Sequence, residues 1–268
     1  MSRPTIGVLI RFKNSAATLP RVLERLKSQT IQPLFILGVD TGSTDNSADL
    51  ITQACGRVIA WSQPYHHARV LNYGLKQLHT DLVLVLSSHT TLDDDDAVER
   101  MLAAFENPLV ACVSAKWDDD PFYSDAITWD ELRAKGLKFG SIYSNSMGML
   151  RRKAWTAVPF DESLITAEDY AWAIEQVRRG HICKRLSLHF GYERSGHDRT
   201  FEFAQLVFQF SRRYKLRVTW LGVQGSIQQL LKTLFNRRPD MPSPALHYER
   251  LKAWAMMRFT AVSSFSGQ

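Results

Sequence analysis

Residues 34–56 read LFILGVDTGSTDNSADLITQACG. Leu34 to Val39 is an apolar run of strand length, and it stops at Asp40-Thr41-Gly42-Ser43-Thr44-Asp45, a polar stretch with the composition of a turn. Ala48, Ile51 and Cys55 then recur at helical spacing up to Gly56, a helix stop. The stretch predicts strand, turn, helix, and the unit repeats on both sides of it. Upstream, Ile6 to Ile10 runs into Lys13-Asn14-Ser15 and is followed by Leu19, Val22, Leu23 and Leu26 on one helical face. Downstream come a short strand at Val58-Ile59-Ala60, a helix marked by Ala68, Leu71, Leu75 and Leu78, a strand from Leu82 to Leu86, and a helix marked by Val98, Met101, Leu102 and Phe105. Such alternation predicts an α/β fold with a mainly parallel sheet covered by helices on both faces. Ligands collect beyond the C-terminal ends of such strands.

Near residue 116 the alternation stops. Residues 116–146 are mixed and rich in Asp, Tyr, Ser and Gly, the composition of a long functional loop. Glu168 to Arg179 reads as a helix closed by Gly180, and Ile182 to Leu188 as a strand. The tail reads as helices, one carrying Phe203, Leu206, Val207 and Phe210, another Val223, Ile227, Leu230, Leu231 and Leu234. Residues 237–244, Arg-Arg-Pro-Asp-Met-Pro-Ser-Pro, make a surface connection.

The 268 residues are 45% hydrophobic and 22% charged, which suits one elaborated globular domain or one domain with an appendage. With no run of about 18 apolar residues and no charged-then-apolar leader, a cytoplasmic protein is expected. Cys55, Cys112 and Cys183 are odd in number and far apart, so they predict buried small residues rather than a disulfide framework or a zinc cluster. Charge is unevenly placed. From Arg199 onward there are 11 Lys and Arg against 3 Asp and Glu, a net +8, whereas residues 1–198 carry −2. A domain of residues 1–198 with a basic helical extension of residues 199–268 is the predicted organisation. Basic residues confined to a tail without a recognition motif argue against nucleic acid. They leave a solvated helix face, or a peripheral contact with anionic membrane at the inner face or with a phosphate-bearing acceptor.

Polar residues just past the strand ends are the candidates for chemistry: Lys13-Asn14, Asp40, Ser87-Ser88-His89, and the helix start Ala167-Glu168-Asp169. Neither a Walker A motif nor a GxGxxG fingerprint is present, so a P-loop and a dinucleotide site are excluded. Taken in order, the motifs resemble those of the family 2 glycosyltransferases, inverting enzymes of the GT-A fold. IGVLIRFKNSAATL is similar to that family's opening strand and turn, LGVDTGSTDNS to its second strand and turn, and ARVLNYGL to its Arg/Asn helix. LVLVLSSHTTL stands in the place of its Asp-x-Asp strand, and the stretch from Asn145 to His181 is similar to its acceptor-side segment with the Glu-Asp helix. The resemblance covers roughly residues 5 to 190, and SNSMGMLRR followed by EDYAWA looks most like the rhamnosyltransferase-like branch of bacterial cell-surface polysaccharide enzymes.

Glycosyl transfer from a nucleotide sugar needs a base for the acceptor hydroxyl and something cationic for the departing diphosphate. Asp169, in the first turn of a helix whose dipole favours a carboxylate, suits the first task and matches the family's catalytic Asp. The resemblance implies nucleotide-sugar binding by Asp40, Arg69, Asn72, Ser87, Ser88, His89 and Glu168. Ser87 and His89 occupy the places of the two Asp-x-Asp carboxylates. A neutral imidazole ligates Mn²⁺ better than Mg²⁺, so His89 is expected either to keep a divalent-metal site of altered preference or to touch the diphosphate directly. His197 follows the last strand, where some relatives place a further metal ligand. The run Asp93 to Asp96 precedes a helix and reads as its solvated first turn, Asp118-Asp119-Asp120 read as a solvated loop, and His66-His67, as strand neighbours pointing to opposite sides, are not expected to share a metal.

Together these readings predict an inverting glycosyltransferase that moves a hexose or deoxyhexose from a nucleotide diphosphate sugar to a glycan or lipid-linked glycan. It is expected to be non-processive, because the QxxRW motif and the membrane helices of polymerising members are absent. A non-catalytic nucleotide-sugar-binding or scaffold member is the alternative. A nucleotidyltransferase is disfavoured because residues 5–20 lack its Gly-rich basic signature.

Overall fold

The computed structural model describes residues 3–54, 56–116, 121–138, 142–193 and 200–218. In chain order the elements are β1 (Ile6–Phe12), α1 (Leu19–Lys27), β2 (Phe35–Asp40), α2 (Ser47–Gln53), β3 (Arg57–Ala60), α3 (His67–Lys76), β4 (Leu82–Ser87), β5 (Thr90–Leu92), α4 (Ala97–Ala104) and β6 (Val110–Ala115). There follow β7 (Ala126–Ile127), α5 (Trp129–Lys135), β8 (Met147–Arg151), α6 (Arg152–Ala157), α7 (Glu168–Arg178), β9 (Ile182–Leu186), β10 (Phe190–Tyr192) and α8 (Thr200–Tyr214).

The main sheet runs β3-β2-β1-β4-β8-β6-β9-β7, and β10 pairs with β5 in a separate ribbon. β1 is parallel to β2 and β4, β2 to β3, and β6 to β9. β8 lies antiparallel between β4 and β6, and β7 antiparallel on β9. The mainly parallel α/β sheet is thus as expected, but the loop expected over residues 116–146 contains β7 and α5. Those elements are two and seven residues long, too short to leave a periodic signal. β8 also went unread, because MGMLR is buried on both faces and has no alternation to betray a strand.

Each sheet face has its own packing. On one, Ile6, Val8, Ile10 and Phe12 of β1 meet Leu19, Val22 and Leu26 of α1, together with alternate leucines of β4. Full burial of such side chains contributes about 1.5–3 kcal/mol each. On the other, α3 packs on β1 and β2 so closely that a Cβ at Gly74 would lie 2.5 Å from the Leu9 side chain and 2.9 Å from that of Val39. Only glycine lets that helix approach. Cys112 and Cys183 are free, buried and adjacent across β6 and β9, with their sulfurs 3.2 Å apart.

Two compact units emerge, residues 1–129 with 141–195, and residues 130–140 with 196–268. Residues 130–140, which the sequence reading placed in the first domain, group with the second unit. There Leu137 bridges Val218 next to Gly136 in a left-handed conformation, and Val207 and Phe210 of α8 are buried. Among the described residues no helix is long and apolar enough to cross a membrane. The helix expected from Val223 to Leu234, most of the basic tail with its membrane contact, Asp118-Asp119-Asp120 and His197 lie outside the described residues.

Candidate active site

The turns after β1, β2 and β4 are tied to one another at the C-terminal edge of the sheet. Asn14, held at φ 46°, accepts the Thr44 N–H at 2.8 Å and donates its own N–H to the Ser43 hydroxyl at 3.0 Å. Ser15 donates its N–H to the Ser47 hydroxyl at 2.7 Å, and Ala16 donates to the Asp45 carboxylate at 3.0 Å. From the other side, the Ser15 and Ser88 hydroxyls bond at 2.8 Å, and Thr18 donates to the Ser88 carbonyl at 2.7 Å. Ser, Thr and Asn side chains here replace the backbone pairing that ends with the strands.

Asp40 carries a structural duty within this network. Its Oδ1 accepts the Gly42 N–H at 3.1 Å and the Ser43 N–H at 2.8 Å, and Gly42 supplies the φ of 97° the turn demands. The other oxygen, Oδ2, has no hydrogen-bond partner among the described residues. Arg69 is more than half exposed, 3.7 Å from Glu162. Asn72 is different. It donates to the Phe160 carbonyl and to Glu162, both at 2.9 Å, and accepts from Trp155 Nε1 at 3.0 Å and the Phe160 N–H at 3.1 Å. Its two donors and two lone pairs are consumed inside the chain, so the nucleotide contact expected of Asn72 is replaced by a structural clamp.

Across from the turns, Ala167 at φ 60° turns the chain into α7, whose first residues are Glu168 and Asp169. Asp169 accepts the Asn145 N–H at 3.0 Å and the Tyr170 N–H at 2.8 Å. Glu168 is buried, 3.4 Å from Asn145 Nδ2 and 4.0 Å from Arg11 Nη1. Asp169 stays partly accessible, while protein surrounds its carboxyl. Burial first, and then the Glu168 charge, push its pKa up from 3.8 to about 7, against the pull of the two N–H groups and of Arg11. Arg11 was not foreseen. It had no motif to mark it, only its place one strand away from Ser87, with which it pairs in register.

Ser87 and Ser88 are buried, and the Ser88 hydroxyl is committed to Ser15. The His89 ring leans on Tyr192 at 5.0 Å between centroids, and its carbonyl accepts the Glu193 N–H at 3.1 Å. Burial, then the Arg11 charge, hold the His89 pKa below 6.5, with Glu193 opposing, so the imidazole is neutral at pH 7. Beside it a cavity of about 280 Å³ is lined by Thr18, Arg21, His89, Thr91, Tyr192 and Glu193. Among the described residues no three His, Cys, Asp or Glu side chains converge as a metal site. Among the described residues, His89 could therefore serve a divalent ion only as a single ligand. Asp93 to Asp96 stand apart from this chemistry: Arg25 holds Asp95 at 2.8 Å, and Arg100 and His189 hold Asp94 at 3.1 and 2.7 Å.

A sequence profile described as Glycosyl transferase family 2 matches residues 7–161. The chain is 26% identical over 194 residues to the O-antigen chain rhamnosyltransferase RfbN of Salmonella typhimurium, a match covering 66% of this chain and 62% of that one. It thus spans less than two thirds of that relative's length. Among solved structures, a mannosyltransferase PcManGT from Pyrobaculum calidifontis in complex with GDP-Man and Mn²⁺ is similar at a TM-score of 0.63 and 16% identity, over 98% of this chain and 76% of that one. Glucosyl-3-phosphoglycerate synthase from Mycobacterium tuberculosis in complex with Mg²⁺ and uridine-diphosphate is similar at 0.61 and 15%, over 78% and 79%. At those identities the likeness is one of fold, the GT-A-like arrangement expected. Because the matched stretch begins in β1, takes in all three interlocked turns and covers more than half of the chain, the chain belongs to glycosyl transferase family 2.

Proposed function

We propose that the chain is an inverting, non-processive glycosyltransferase that moves a hexose or deoxyhexose from a nucleotide diphosphate sugar to a glycan or lipid-linked glycan in cell-surface polysaccharide synthesis. The observation that carries this reading is Asp169: a partly accessible carboxylate with a pKa of about 7, placed beyond the sheet edge near which Asp40 and His89 stand. Asp169 takes the proton of the acceptor hydroxyl as that oxygen attacks the anomeric carbon. The bond from that carbon to the diphosphate breaks on the opposite side, so the sugar inverts. Asp40 and Arg69 receive the nucleoside, and Arg11 and His89 face the diphosphate. A divalent ion, where bound, adds charge at that diphosphate.

Thermal shift across a panel of nucleotide sugars tests the reading, since a donor at 100 times its Kd adds about 2.7 kcal/mol. No shift with any donor, or a product of retained anomeric configuration, would overturn it. The lost Asp-x-Asp pair is the observation on the side of a non-catalytic binder, which would shift with a donor yet never hydrolyse it.

Asp40→Asn tests the nucleoside contact more cleanly than alanine, because the amide oxygen still accepts the turn's two N–H groups while the charge is lost. Donor binding is expected to weaken by roughly 1.5–3 kcal/mol, the range for a hydrogen bond to a charged group. Unchanged affinity by calorimetry would confine Asp40 to its turn. For His89, Mn²⁺ binding is expected to be weak in the free protein, to tighten when the donor's diphosphate completes the ligand set, and to exceed Mg²⁺ binding. His89→Ala should abolish that tightening; equal Mn²⁺ affinity with and without donor would refute it.

A further inference from the structure

Arg11 is a partly buried cation with an unfinished environment. Its side chain is only 16% exposed, and Nη1 has no hydrogen-bond partner among the described residues. Among the described residues its ion-pair partner is Glu168 at 4.0 Å, too far for a hydrogen bond but near enough for charge to act. Glu168 and Asp169 are consecutive, both at the start of α7 and both tied to Asn145. Two carboxylates so placed resist ionising together, and one fixed guanidinium relieves that conflict.

We propose that Arg11 and Glu168 are opposed positioning residues which set the protonation of Asp169, Arg11 favouring its charged form and Glu168 its neutral form. The assignment rests on the reading of Asp169 as the base, and it says what tunes that base. Other groups near Asp169 do not share the task. Burial holds the Cys112 thiol and the Tyr143 hydroxyl well above their ordinary values, so both are neutral around pH 7, with Cys183 behind Cys112. The N–H groups of Asn145 and Tyr170 are fixed backbone donors that side-chain substitution leaves in place.

The test follows the proton on Asp169 rather than turnover, because Arg11 also acts on His89 and would blur a rate profile. Urea unfolding of the full chain and of Asp169→Asn across pH 5 to 9 gives a stability difference that changes linearly with pH and bends to a plateau at the folded-state pKa of Asp169. The same pair is then measured with Arg11→Gln and with Glu168→Gln. The bend is expected to move up by about one pH unit in the first background and down by a similar amount in the second. If Arg11→Gln does not fold, Arg11→Met, which keeps the stem's packing, takes its place. A bend unmoved by loss of the Arg11 charge, or moved the same way in both backgrounds, overturns the proposal. A chain that titrates as expected but transfers no sugar overturns the proposed function instead.

Discussion

Asp169→Asn is expected to reduce glycosyl transfer at least about 100-fold, the low end for removal of a general base, while donor affinity stays within about threefold. The amide is nearly isosteric, and the base acts on the acceptor, so the donor loses no contact. In the native chain, kcat/KM is expected to fall as pH drops below about 7, where Asp169 becomes protonated. The same substitution should change stability with a definite sign. A folded-state pKa of about 7 against an ordinary 3.8 means that the folded chain holds this proton more tightly than the unfolded one. The stability due to that proton is complete below pH 4 and is lost as pH rises through 7. Ionised Asp169 at pH 8 therefore costs up to about 4 kcal/mol, less whatever its partial exposure and the lost hydrogen bond to one N–H remove. Relative to the native chain, the variant should melt higher at pH 8 than at pH 5. Transfer within threefold of the native rate would dismiss Asp169 as the base, and a melting difference flat in pH would dismiss its raised pKa.

Asp169 was marked in sequence by a helix start, a carboxylate pair and a position beyond a strand end, but these signals fit a helix cap equally, and only the resemblance to the family pointed to a base. β1, β2 and β4 were legible from local pattern, since each is an apolar run closed by a polar turn. Arg11 was not. It sits in a strand where alternation only says that it shares a face with Leu9, and nothing local says that Glu168, far along the chain, will stand 4.0 Å away. β8 escaped because an antiparallel strand slipped between β4 and β6 is buried on both faces. The turn-capping by Asp40 is also invisible in one dimension, since the composition of its loop is the same whether one carboxylate oxygen caps the turn or both meet a ligand.

Asn72→Ala should cost about 3–5 kcal/mol of stability, which for a chain of this size lowers Tm on the order of 10 °C. Truncation leaves the Trp155 indole N–H and both backbone groups of Phe160 without partners, next to side chains that are 3% and 2% exposed, and opens a cavity as well. The damage should reach Asp169. Trp172 of α7 donates to the Val158 carbonyl at 2.7 Å and meets the Phe160 ring edge-on at 5.6 Å between centroids, so the segment between α6 and α7 is fastened by Asn72 at one side and by α7 at the other. Arg69 provides the contrast on the same helix: its exposed pair with Glu162 contributes less than about 1 kcal/mol, which leaves its guanidinium available to a ligand. Donor affinity of folded Asn72→Ala should therefore stay within threefold, whereas Arg69→Ala should lose affinity with little change in Tm. A Tm drop under 2 °C accompanied by weakened donor binding would return Asn72 to the nucleotide side. The expected pattern would instead separate two residues three positions apart on one helix, the buried one fixing the approach to Asp169 and the exposed one meeting the donor.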